Sequence, residues 1–400
     1  MSHKKPNAST LAVHAGGALP PMRSQPLDPP TYRNTTFRVE SRQMVVEYNE
    51  KHPPDLYFYG RYENPTVRAF EQKLALLEGA ETGLGFASGM AAISSTVFAL
   101  LAGRPGVGVD PARPLLCASA IYGGAYRFFR DHLRALGLPV VFLPSEQIVE
   151  GAWPVHPCAV YVESPINPTL RLLDLGRVAA RAHEVGAIAV VDGTFAPPPM
   201  QRPLEHGIDL VIHSATKYLG GHSDVLGGAV LGSRELISRV ESWRKLLGGV
   251  LDPGAASELS RSLKTLTVRF ERQCQSAFEL ARRLERDRRV KRVLYPGLES
   301  HPDHALAKRD LRGFGGMVTL ELPAGLPQAV RLFDGLRVFA RAASLGGVES
   351  LVSLPVDSSH VGYDASELAR AGVTAGMVRL SIGLEDVEDL WEDLDQALPS

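Results

Sequence analysis

Cysteine is scarce in this chain of 400 residues. Its three thiols, Cys117, Cys158 and Cys274, stand far apart, form no CxxC pair and lie in apolar or helical stretches. A disulfide framework is therefore not expected, nor is a metal site; buried, reduced thiols of a cytoplasmic protein are. An excess of charge of one sign is also lacking: 43 Lys and Arg face 44 Asp and Glu, for a net charge of -1. A general binder of nucleic acid or of acidic membranes needs a basic excess, so neither is expected. Small polar or zwitterionic ligands stay open. No apolar run approaches the ~20 residues that span a bilayer. The opening MSHKKPNASTLAVHAGG has no apolar stretch of the kind a signal peptide carries. Repeats and low-complexity tracts are absent as well.

What is present reads as an ordinary globular protein, 44% hydrophobic and 22% charged. The length points to roughly two domains. Residues 1–65 are rich in polar groups and proline, and Pro20, Pro21, Pro26, Pro29 and Pro30 forbid long helices there. Such a segment is either disordered or an arm lying on a neighbour. From residue 67 the pattern alternates. Helical periodicity covers 67–80, 90–103 and 125–137. Short runs bounded by turn residues cover 82–88, 114–119, 139–144, 159–164, 187–195, 209–217 and 228–233. Strands alternating with helices predict an α/β domain over 66–254, its sheet mostly parallel with helices on both faces. A long helical stretch, about 255–288, opens a smaller α+β domain over 255–400. Its apolar runs at 292–296, 316–322 and 378–384 precede a terminal helix.

Ligands of open parallel sheets bind beyond the carboxyl ends of the strands. Five polar or glycine-rich turns fall at that end: Ser88-Gly89-Met90, Tyr122-Gly123-Gly124, Glu163-Ser164-Pro165, Asp192-Gly193-Thr194 and Ser214-Ala215-Thr216-Lys217. Lys217 leaves an apolar strand, and desolvation there lowers an amine toward the nucleophilic range, ready to attack an aldehyde. Alone, it reads more readily as a surface lysine at a strand end. Ser214 and Thr216 stand beside it as donors for a phosphate oxygen. Asp192 ends a strand expected to be buried on both faces, where a carboxylate requires a cation such as a protonated pyridine, unless it merely caps the next turn. Ser88, Gly89 and Met90 open a helix whose free amides suit a phosphate, although serine is also a common N-cap. The run Gly83-Leu84-Gly85 half-matches a dinucleotide fingerprint but lacks its third glycine. Tyr122 is placed to lie on an aromatic ring, or is an ordinary core or rim tyrosine. Arg379, at the start of a late strand, suits an α-carboxylate or a structural ion pair.

Taken together these turns resemble the Cys/Met-metabolism family of fold-type I pyridoxal 5′-phosphate (PLP) enzymes: cystathionine γ-synthases, cystathionine lyases, methionine γ-lyases and O-acetylhomoserine sulfhydrylases. The likeness runs from about Thr10 to Leu398. It is carried by residues 59–66 (YGRYENPT), 87–92 (ASGMAA), 122–124, 163–169 (ESPINPT), 191–195 (VDGTF), 214–218 (SATKY), 344–350 (SLGGVES) and 379–383 (RLSIG). The resemblance implies a seven-stranded, transferase-like fold and PLP as cofactor. It implies that Lys217 bonds the cofactor and then shuttles a proton, that Asp192 pairs with the pyridine nitrogen, and that Tyr122 stacks and assists as acid or base. Ser88, Gly89, Met90, Thr194, Ser214 and Thr216 would surround the cofactor and its phosphate. Tyr59 and Arg61 would reach the phosphate of a neighbouring subunit, in a homotetramer built from two dimers. Asn167, Ser344 and Arg379 would hold the substrate carboxylate and orient the ring.

The distal pocket decides which sulfur compound fits. The acid that cystathionine enzymes carry before their Ser-Leu-Gly-Gly is Ala343 here, and the acid that lyases often carry before Tyr-x-Arg is Phe58. Both changes favour an apolar tail. Gly124 stands where methionine γ-lyases commonly have cysteine, and Arg127 resembles an arginine used for a distal carboxylate. The expectation is elimination from methionine or cystathionine, with γ-replacement on an activated homoserine ester as the alternative. An aminotransferase, a dehydrogenase and a PLP-binding protein without turnover are less well matched by these motifs.

Overall fold

The computed structural model describes residues 24, 26–102 and 110–399. Residues 1–23 of the expected arm lie outside the described residues. Met1–Pro30 form one unit, of which the described residues are exposed; Thr31–Ser400 form a second, compact unit.

The second unit begins with helix α1 (Arg42–Lys51), which fits between Pro30 and Pro53 in the stretch where only long helices were excluded. Helix α2 (Pro65–Glu78) starts where Asn64 accepts the amides of Thr66 and Val67, has Pro65 in its first turn and stops at Gly79, φ 76°. Strand β1 (Thr82–Phe86) leads into α3 (Gly89–Leu101), and β2 (Leu115–Ala118) into α4 (Gly123–Arg127). Residues 128–133 continue α4 as a π-helix rather than the regular helix expected there. Then follow β3 (Val140–Leu143), α5 (Ser145–Glu150), β4 (Ala159–Glu163), α6 (Leu175–Glu184), β5 (Ile188–Asp192), β6 (Leu210–His213), β7 (Gly228–Gly232) and α7 (Arg234–Leu247).

These seven strands form one sheet in the order β1-β7-β6-β5-β4-β2-β3. Strand β7 runs antiparallel to both of its neighbours, and the remaining adjacent pairs are parallel. Strands β2, β4 and β6 are buried at every position, as a sheet covered on both faces requires. The carboxyl ends of β1, β2, β4, β5 and β6 therefore share one edge.

The expected long helical stretch is divided into α8 (Pro253–Ser262) and α9 (Leu266–Arg286) by a 3-10 turn. Beyond it come β8 (Arg292–Leu294), α10 (His304–Asp310), β9 (Met317–Glu321), α11 (Leu326–Gly335), β10 (Ala340–Arg341), β11 (Leu351–Ser353), α12 (Ala365–Arg370), β12 (Met377–Ser381) and α13 (Val387–Ala397). The five strands pair in the order β10-β11-β12-β9-β8, a smaller sheet with its own core of Leu320, Val352, Leu380 and Leu394. Among the described residues no helix is long and apolar enough to cross a membrane.

Candidate active site

Strand β6 ends at His213, four residues short of Lys217. The lysine thus stands in the turn after the strand and does not end the strand itself. Two hydrogen bonds stop the ladder there: Ser214 N–H donates to Thr194 Oγ1 (2.9 Å) and Lys217 N–H to Ser214 O (3.2 Å). The Lys217 ammonium donates to Ser344 Oγ at 2.8 Å. Burial, with the Arg379 charge adding to it, pulls its pKa down to about 8.

Ser344 belongs to the loop between β10 and β11 and has φ 118°, a strained conformation for a residue with a Cβ. Its carbonyl accepts from Arg379 Nη2 (3.0 Å), while Arg379 Nη1 donates to Asn167 Oδ1 (2.9 Å). Arg379 is the third residue of β12 rather than a strand-start residue, and it is buried. Its Nε is buried without a partner, so the guanidinium keeps a donor in reserve. Burial lowers its pKa to about 10.

Two carboxylates sit side by side on the floor. Glu163 and Asp192 end adjacent parallel strands and are paired in register. Asp192 is buried and accepts from Thr194 N–H (3.0 Å) and from the Tyr161 hydroxyl (3.4 Å). Burial raises its pKa. The Thr194 amide and the Tyr161 hydroxyl are neutral donors, so a cation placed against this carboxylate would be favoured. Tyr122 precedes α4, and its ring covers the place where a Cβ on Gly124 would stand, 2.5 Å from Cε1.

The opposite wall is the first turn of α3. Ser88 caps it through the amide of Ala91 (3.1 Å), which leaves the leading amides without helical acceptors. A Cβ on Gly89 would lie 2.9 Å from Ser214 Cβ, so only glycine lets this turn close on the Ser214–Lys217 loop. The Thr216 hydroxyl donates to Gly227 O (3.2 Å) and accepts its amide (3.1 Å).

These groups enclose one cavity of about 370 Å³. Of the residues singled out in the sequence it collects Ser88, Gly89, Met90, Tyr122, Asn167, Asp192, Thr194, Ser214, Thr216, Lys217, Ala343, Ser344 and Arg379. It also contains Glu163, Ser358 and Ser359, to which sequence reasoning gave no role. Glu163 had a usable signal, an acid closing an apolar strand just as Asp192 does. Phe58, Tyr59, Arg61 and Arg127 lie outside this cavity. Phe58 packs on Tyr48 (5.9 Å between rings). Arg61 donates to Lys245 O (2.6 Å), and both Tyr59 and Arg127 are exposed. A larger cavity, about 520 Å³, lies between α2 and α7, but two of its three arginines are already paired, Arg244 with Glu71 (2.6 Å) and Arg68 with Glu63 (3.4 Å). The half-matched glycine run serves packing: a Cβ on Gly85 would meet Leu251 at 2.9 Å, so this glycine makes room for a leucine within the core.

Comparison with known proteins decides the family. Residues 9–399 match the family model described as Cys/Met metabolism PLP-dependent enzyme. The chain belongs to this family. PLP is its cofactor. The chain is 40% identical to L-methionine gamma-lyase of Pseudomonas putida, over 99% of this chain and 98% of that one. It is 39% identical to cystathionine beta-lyase of Coxiella burnetii, over 99% of each. Among solved structures, cystathionine gamma synthase from Xanthomonas oryzae pv. oryzae in complex with cystathionine superposes with a TM-score of 0.84 at 37% identity, covering 99% of this chain and 98% of that one. The fold is accordingly that of the fold-type I PLP enzymes. The cavity fits the cofactor on three counts: a buried carboxylate for a pyridinium, a helix start pressed on a hydroxyl-bearing turn for a phosphate, and a lysine of lowered pKa for an aldehyde.

Proposed function

We propose that this enzyme eliminates the γ-substituent of a sulfur amino acid, L-methionine or L-cystathionine, with uptake of one water, to give 2-oxobutanoate, ammonia and a thiol. The observation that carries the reading is Lys217, held by Ser344 Oγ at 2.8 Å beside Arg379 with its pKa lowered. An amine in that state bonds the cofactor at neutral pH and later serves as a base. Bound PLP supplies an electron sink for negative charge developing on the substrate. Asp192 would keep the pyridine nitrogen protonated and Tyr122 would lie against the ring. The first turn of α3, with Ser214 and Thr216, would hold the phosphate. Arg379 grips the α-carboxylate, with Asn167 and the Ser344 carbonyl keeping its fork aligned. Lys217 would take the proton from Cα, pass it on, and then take one from Cβ, and the electron pair left at Cβ would form the bond to Cγ as the group on Cγ departs with its own pair.

Of the charged groups lining the cavity, Asp192, Lys217 and Arg379 face these tasks and Glu163 is taken up by the Tyr122 and Asn167 backbone amides, while Met90, Ile93, Leu226 and Ala343 supply apolar wall. That favours an uncharged thioether tail, in keeping with the likeness to L-methionine gamma-lyase. A second reading, γ-replacement on an activated homoserine ester, is favoured by the likeness to cystathionine gamma synthase. Tyr59 and Arg61 are exposed and stand outside the chain's own cavity, which supports a site shared between subunits of a homotetramer. The three cysteines are free, as a reducing cytoplasm would keep them.

The test is an assay of purified, PLP-loaded enzyme with L-methionine and with L-cystathionine, reading 2-oxobutanoate. Product from either supports elimination. No product from either, with a thiol adduct formed from an activated homoserine ester, would replace this reading with γ-replacement.

A further inference from the structure

Glu163 has no part in the chemistry above, yet it reaches both walls of the cavity. It closes β4, is 4% exposed and pairs in register with Asp192. Its two oxygens serve different segments. Oε2 accepts the Tyr122 amide at 2.7 Å, and Oε1 accepts the Asn167 amide at 3.1 Å. Tyr122 is the residue before α4 and has no side-chain cap of its own. Asn167 in turn holds Arg379 through Oδ1. One carboxylate thus ties the aromatic wall to the clamp wall across the end of the sheet.

A bond of this kind has consequences for geometry. Tyr122 is 45% exposed, so its ring gains little position from packing. The amide bond to Glu163 anchors the backbone that carries that ring. On the other side, the backbone of Asn167 fixes the height of the oxygen that aligns the Arg379 fork. Catalytic geometry degrades steeply when such supports loosen by fractions of an ångström. Burial, with Asp192 beside it, raises the Glu163 pKa, which is the cost of keeping an acceptor with two oxygens at this spot.

We propose that Glu163 is a positioning residue for the reaction, setting the Tyr122 ring and the Asn167–Arg379 clamp relative to each other through its two amide bonds. The proposal rests on the reading of this cavity as the PLP site. Glu163→Gln keeps the volume but turns one acceptor into a donor, so one amide loses its partner. Glu163→Asp keeps the charge but is one methylene too short to span both amides.

The experiment compares wild-type and Glu163→Gln holoenzymes by the visible circular dichroism of the bound cofactor, by kcat and KM on whichever substrate the wild type turns over, and by Tm. The expected result is a retained cofactor whose dichroism changes at least ~2-fold in amplitude, and kcat/KM lowered roughly 10- to 100-fold with a contribution from KM. Glu163→Asp is expected to show the same losses, and is read in its place if the glutamine variant does not fold. Wild-type dichroism and kinetics in either folded variant would overturn the proposal, as would a lowered Tm with both unchanged. The dichroism needs no substrate, so it reports positioning even if elimination is the wrong reaction. A wild-type protein that fails to take up PLP at Lys217 would instead sink the reading beneath.

Discussion

Arg379 offers a quantitative separation of charge from geometry. Its guanidinium spends Nη1 on Asn167 Oδ1 and Nη2 on the Ser344 carbonyl, and keeps Nε buried without a partner. Arg379→Lys preserves a cation but not the planar fork, so one charge-assisted bond to a substrate carboxylate is lost. Such a bond is worth about 1.5–3 kcal/mol, or roughly 10- to 150-fold in KM. Arg379→Met removes the charge altogether, and an unpaired carboxylate then faces a buried wall. That costs about 3 kcal/mol or more, at least ~150-fold in KM. Neither change removes the amine that moves the proton, so kcat falls less than KM rises. A second readout uses the cofactor-free protein. Arg379 is a like charge that helps to depress Lys217, after burial. Arg379→Met should therefore move the Lys217 midpoint upward from about 8, and Arg379→Lys should leave it in place. Initial rates give KM and kcat; the rate of PLP incorporation against pH, followed by visible absorbance, gives the midpoint. A KM for Arg379→Met close to wild type would refute the carboxylate clamp.

Three further outcomes follow from the same geometry. In the wild-type apoprotein, the rate of PLP incorporation should rise with pH, because the neutral amine is the nucleophile, and level off above about pH 8; a rise continuing to pH 10, as for an unperturbed lysine, would show that burial does not act on Lys217. Gly124→Ala places a Cβ 2.5 Å from the Tyr122 ring and must push that ring aside; kcat should fall at least ~10-fold with little change in Tm, and unchanged kinetics would mean that Tyr122 does not cover the cofactor. Arg61→Ala should speed the loss of PLP on dialysis if the site is shared between subunits, and full retention would argue for a site completed within one chain.

Much of the α/β half was legible because its strands are short apolar runs bounded by turn residues, and because buried parallel strands cannot be mistaken for amphipathic ones. The residues that close those strands inherit the site, which is why Asp192 and the turns at Tyr122 and Ser88 stood out. Other features arise from contacts that no local pattern carries. The β6 ladder breaks at His213 because the Thr194 hydroxyl, from the neighbouring turn, takes the Ser214 amide. Strands β10 and β11, two and three residues long, are too short to show alternation. The π-helix at 128–133 keeps the composition of a regular helix, so its wider turn leaves no mark in the sequence. Glu163 closes an apolar strand as Asp192 does, so local sequence gives the two acids the same signal; only the distances to Tyr122 and Asn167 show its separate task. Arg127, matched by motif, ends α4 exposed and outside the cavity, since its helix turns that position to solvent.

The central claim is that Lys217 carries the cofactor. Borohydride reduction of the PLP-loaded enzyme, followed by proteolysis and mass spectrometry, locates the modified lysine directly. The account predicts one labelled peptide, modified at Lys217, and no label in a Lys217→Ala variant. A label on another lysine, or an undiminished label in that variant, would contradict it.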